Sequence, residues 1–111
     1  VGLTDEKAVE EGFRCQCHTI PMGVVPKAQA IAETKGVIKM VTQKAREILG
    51  IHILAHSAAD LIEEGAMIIR NRMTVDDLIQ TLHVFPTLSE AIKLAAQSFR
   101  RDVEKMTCCA E

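Results

Sequence analysis

The chain has 111 residues, 48% hydrophobic and 25% charged, with a formal net charge of −2. That is enough for one domain with a modest core, too apolar for a disordered segment, and too little basic clustering for nucleic acid or an anionic membrane surface. There is no apolar run of membrane-spanning length and no export leader, so a cytoplasmic location is expected, where four cysteines point to free thiols, metal ligands or redox chemistry rather than a disulfide framework. Aromatic residues are 3% of the chain and Trp and Tyr are missing, so Ile, Leu, Val, Met and Ala must build the core. The start at Val1, with no initiator Met, suggests a piece of something longer.

In chain order, Thr4 reads as a helix cap, Asp5 and Glu6 as first-turn acids that complement the helix dipole, and Gly12 as a stop. Phe13 to Ile20 alternates like a strand and sets Cys15, Cys17 and Thr19 on one face. Pro21, Gly23 and Pro26 then punctuate a turn, and the following Lys-Ala-Gln-Ala-Ile-Ala stretch fits strand or helix equally. Val37 to Thr42 and Ile48 to Leu54 are β-branched runs flanking a polar turn, the pattern of a β-hairpin.

From His56 the period becomes helical. Ser57 with Asp60 makes a plausible capping box, and Ala58, Leu61, Ile62, Gly65, Ala66 and Ile69 form one stripe. Thr74 with Asp77, and Thr87 with Glu90, repeat the capping-box spacing, the latter leading Ile92, Leu94, Ala95, Phe99 and Val103 toward a core. Strands first and helices second read as α+β, an antiparallel sheet with helices packed on one face.

Cys108 and Cys109 are adjacent near the carboxy end, on residues 104–111 expected to form a mobile tail. Neighbouring cysteines close a disulfide only through strain, whereas two thiolates can grip a soft cation and release it by ligand exchange. The alternative is a pair of inert tail residues. Cys15-Gln-Cys17-His18 reads either as half of a metal site or, the favoured reading, as two small thiols on the core face of a strand. His83 is a candidate general base or a packed histidine; His52 and His56, beside a strand end, have a weaker claim. The five methionines are scattered, as core filler is. No Gly-rich dinucleotide fingerprint, phosphate loop or Cys-x-x-Cys appears.

The opening VGLTDEKA, the central ILGIHILAHSAADLI, the following MTVDDLIQTLHVFPTLSEAIKLAAQ and the closing CCAE together resemble the carboxy-terminal dimerisation domain of mercuric reductases, a branch of the flavin-dependent pyridine nucleotide-disulfide oxidoreductases. The central motifs specify the superfamily, and the closing Cys-Cys points to the mercury branch. The resemblance implies a homodimeric parent enzyme that uses NADPH and FAD to reduce Hg(II) to Hg(0). It also implies that Cys108 and Cys109 take up Hg(II) and pass it to a redox cysteine pair of the other subunit. Flavin, nicotinamide and inner cysteines would lie in other domains, so this chain alone should not turn over. Relatives that oxidise dithiols carry an acid-base histidine where Phe85 stands, paired with a glutamate matching Glu90. Phe85 cannot move a proton, which disfavours that activity, and it also departs from the tyrosine usual in mercuric reductases. The resemblance further implies a two-fold interface near Phe85 and Ile92. Two other readings remain: a stand-alone soft-metal or homodimerisation module, and a dimerisation domain from another flavin disulfide oxidoreductase.

Overall fold

The computed structural model describes residues 1–102. Three strands, β1 (Cys15–Pro21), β2 (Gly36–Gln43) and β3 (Glu47–Ala55), form an antiparallel sheet in the order β1-β2-β3. Among the described residues five α-helices accompany it: α1 (Asp5–Glu10), α2 (Pro26–Ala30), α3 (Ala58–Arg70), α4 (Val75–Gln80) and α5 (Glu90–Gln97). The α+β expectation holds, as does the hairpin, which β2 and β3 make across a turn whose Lys44 and Ala45 both take positive φ.

The strands separate two apolar clusters. On one face Ile38 and Met40 of β2 and Ile48 and Ile51 of β3 meet Ala28 of α2, Ile68 of α3, Val75 and Leu78 of α4, and Ala91, Ile92, Ala95 and Ala96 of α5. On the other, Val41 and Leu49 meet Ala8 of α1, flanked by Leu3, Phe13, Cys15 and Cys17. The larger helical layer therefore lies on one face as expected, and α1 is the exception. The Asp5–Lys39 ion pair, 2.9 Å, fastens α1 to β2. A register shift between Val41 and Thr42 places Leu49 out of step in β3, which lets Ile48 and Ile51 both reach the helical face while Leu49 turns to α1.

The free edge of β3 is occupied by residues 1–3. Leu3 N–H donates to the Leu49 carbonyl at 2.8 Å, and Ile51 N–H donates to the Val1 carbonyl at 2.9 Å. Contact is close enough that a Cβ on Gly50 would fall 2.0 Å from the Leu3 carbonyl oxygen, so glycine is required by space there.

Two of the three sequence-read capping boxes need correction. Thr74 and Asp77 form theirs, with Thr74 Oγ1 accepting from Asp77 N–H at 3.2 Å and Asp77 Oδ2 from Thr74 N–H at 2.8 Å. Ser57 instead sits in a left-handed conformation, φ 59°, which turns its hydroxyl away from the first turn of α3, and it makes no side-chain cap. Thr87 Oγ1 donates backward to the Val84 carbonyl at 2.7 Å, α5 starts at Glu90, and Ser89 precedes it without a side-chain cap. On α3 the buried residues are Leu61, Gly65 and Ile68, so Ile68 replaces Ala66 as the inward residue.

Ile92 is fully buried within the domain, whereas Leu82 is 93% exposed. Ile92→Ala should cost about 2–5 kcal/mol in chemical denaturation, the range for a core truncation. Leu82→Ala should stay within about 0.5 kcal/mol in the monomer. Thr74→Ala should cost about 1 kcal/mol through loss of the α4 cap.

Candidate functional site

The segment joining α4 to α5 carries His83 and Phe85, two of the residues the sequence singles out. Here Leu82, Val84 and Phe85 are exposed, with Phe85 49% accessible, and the Phe85–Pro86 peptide is cis. An apolar run this open on a domain of this size is unusual unless something covers it. Met67 on α3 is exposed as well.

His83 anchors this segment. Its side chain is 7% exposed, its Nε2 lies 2.5 Å from Glu64 Oε1 on α3, and its Nδ1 lies 3.3 Å from the Thr81 carbonyl oxygen. Both ring nitrogens thus face acceptors, which favours the doubly protonated ring. Glu64 raises the His83 pKa above its ordinary value, against the opposing effects of burial and of Lys93. A general base needs a free lone pair, and neither nitrogen offers one. His83 is a strut between the exposed segment and α3 rather than a base. His18 stacks on Phe99 with ring centroids 4.1 Å apart and contacts Ser98 Oγ at 3.2 Å, while His52 Nε2 donates to the Leu3 carbonyl at 3.0 Å. Both serve packing.

Glu90, at the first turn of α5, presents the opposite situation. Its Oε1 is buried and lacks a hydrogen-bond partner among the described residues, and desolvation raises its pKa despite the nearby His83 and Lys93 charges. Phe85 has no polar atom to offer it. The nearby charges offset the desolvation of that oxygen only in part.

Cys15 and Cys17 lie on the α1 face of β1, half-buried, with their Sγ atoms 3.0 Å apart. Burial, together with the Cys15 contact, pushes the Cys17 thiol up to about 11. The strand alternation placed both correctly; it did not show that the sulfurs touch, because sheet twist and rotamer decide that. No group of three or more His, Cys, Asp or Glu side chains able to hold a metal occurs among the described residues. Cys108 and Cys109, the sequence-read soft-metal ligands, lie outside those residues.

Two consequences are measurable. The His83 pKa is raised on folding, so its contribution is complete below the unfolded value of about 6.5 and fades as pH rises through the folded value. His83→Gln should therefore lower stability at pH 6, on the order of 1 kcal/mol, and by less at pH 9. Glu90 is also raised, so the folded chain loses stability as pH rises through that pKa; Glu90→Gln should increase the melting temperature at pH 7.5 and change it little at pH 4.

Against known proteins, the profile for the pyridine nucleotide-disulphide oxidoreductase dimerisation domain matches residues 1–96. The mercuric reductase of Shewanella putrefaciens is 44% identical over 99% of this chain, and that of Lysinibacillus sphaericus is 39% identical over the same share. The chain spans about a fifth of the length of those relatives, 20% in each case. Among solved structures, LpdA from Mycobacterium tuberculosis superimposes with a TM-score of 0.80 at 26% identity, covering 91% of this chain and 22% of that one. The flavoprotein disulfide reductase RclA from Escherichia coli, in its Cu(II) complex, gives 0.80 at 26% identity, covering 90% and 23%. With the profile covering most of its length and the fold shared by two disulfide reductases, the chain belongs to the pyridine nucleotide-disulphide oxidoreductase dimerisation-domain family.

Proposed function

We propose that this chain is the dimerisation and Hg(II)-capturing domain of a mercuric reductase, with Cys108 and Cys109 as the capturing thiols. The observation that carries this reading is the adjacent cysteine pair at the end of a chain 44% identical, over 99% of its length, to a protein of that name. Two thiolates are the ligand set that soft cations select, and they exchange ligands one at a time. Each sulfur that binds Hg(II) loses a proton, and transfer to a second dithiol swaps one S–Hg bond for another with no change in oxidation state. Reduction to Hg(0) needs two electrons. In the whole enzyme NADPH would supply them through FAD; this chain has no Gly-rich motif to bind either, and no step on it involves them.

The homodimer would form across the exposed Leu82, Val84 and Phe85 segment held by His83, with a two-fold axis pairing like surfaces. Phe85 supplies apolar contact there and no proton, so neither acid-base assistance nor hydroxyl-assisted mercury transfer can come from position 85. Glu90, lacking a polar partner at that position, agrees with a site not used for proton transfer.

Titration of the chain with Hg(II), following thiolate-to-metal absorbance and free-thiol count without reducing agent, tests the capturing role. Tight one-to-one uptake should disappear in Cys108→Ala/Cys109→Ala. Uptake unchanged in that variant would remove the tail thiols from the mechanism.

A further inference from the structure

The sulfur pair of β1 is not used by the reading above. Seven residue pairs hold β1 against β2, which fixes the Cα positions of Cys15 and Cys17 on an edge strand with one side open. The two side chains emerge on the same face, lean on the cluster of Ala8, Val41 and Leu49, and remain half-buried rather than enclosed. Their Sγ atoms are 3.0 Å apart.

We propose that Cys15 and Cys17 form a bidentate dithiol site for a pyramidal soft centre of the trivalent arsenical class, separate from the tail thiols. Sulfur spacing carries the argument. At a bond length of about 2.3 Å, a soft centre holding two sulfurs at a right angle needs them about 3.3 Å apart, whereas a linear two-coordinate ion needs about 4.6 Å. The observed spacing is within a few tenths of an ångström of the first and far from the second. A direct disulfide is also a poorer fit, since residues two apart on a strand have Cα atoms about 6.6–6.8 Å apart, at the upper limit of disulfide geometry. A one-atom bridge between the sulfurs relieves that limit.

Charge and proton balance agree with the spacing. The Asp5–Lys39 pair on the same face is mutually neutralised and gives a cation no net attraction. A monosubstituted arsenous acid carries its own proton acceptors. Its two As–OH groups leave as water with the two thiol protons, two As–S bonds form, and arsenic stays trivalent. No oxidant or reductant enters.

The test uses this chain carrying Cys108→Ser and Cys109→Ser, titrated with phenylarsine oxide while free thiols are counted and the adduct mass is recorded. One arsenical should consume two thiols, survive an excess of glutathione and be released by dithiothreitol. Adding Cys15→Ser or Cys17→Ser should weaken binding by about 10²-fold or more, the gain expected when the second bond becomes intramolecular. Adducts equally tight in the single-thiol variants, or thiols left unconsumed in the natively folded chain, would overturn the proposal. The converse protein, Cys15→Ser/Cys17→Ser with its tail intact, reports Hg(II) capture by the tail alone, so failure at one site is distinguishable from failure at the other.

Discussion

The burial of both faces of β2 is the constraint on which the rest of this structure depends. Ile38 and Met40 point into the helical layer, while Val41 points to α1, and all three are fully buried. A central strand buried on both sides must satisfy its polar groups within the sheet and its own side chains, and Thr42 does so by donating to the Gln16 carbonyl at 2.9 Å. The bulge at Leu49 and the close backbone approach at Gly50 follow from the same requirement, since β3 has to feed both clusters while accepting residues 1–3 along its outer edge.

From that frame the two regions of chemical interest differ in kind. The exposed segment between α4 and α5 is held by one buried histidine, and its outward residues are apolar. It is suited to being covered, which accords with a dimerisation-domain family. Proton chemistry is poorly served there: His83 has both nitrogens committed, the Phe85 side chain has no proton to give, and Glu90 keeps a buried oxygen without a hydrogen-bond partner among the described residues. The cost of burying that carboxylate is borne by the fold.

The thiols differ just as sharply from one another. The strand ladder fixes the Cα positions of Cys15 and Cys17, and their rotamers bring the sulfurs to 3.0 Å. Cys108 and Cys109 are sequence neighbours that lie outside the described residues.

Much of this was legible in residue order. The β-branched runs gave the hairpin, the Thr4 and Thr74 caps sit where read, and Cys15 and Cys17 share a face because side chains on a strand alternate. The central motifs, the one around Phe85 among them, point to the family whose profile matches residues 1–96. Tertiary structure decided what local pattern cannot. Ser57 and Thr87 have the capping spacing but not the backbone conformation, because the turns entering α3 and α5 are set by packing on the sheet. Ile92 and Phe85 are both apolar and close in sequence, yet one is core and the other surface, because α5 faces the sheet where the preceding segment turns away. The Cys15–Cys17 sulfur contact, the double commitment of His83 and the unpartnered Glu90 oxygen depend on distances between groups brought together by folding, and no periodicity in the chain encodes a distance.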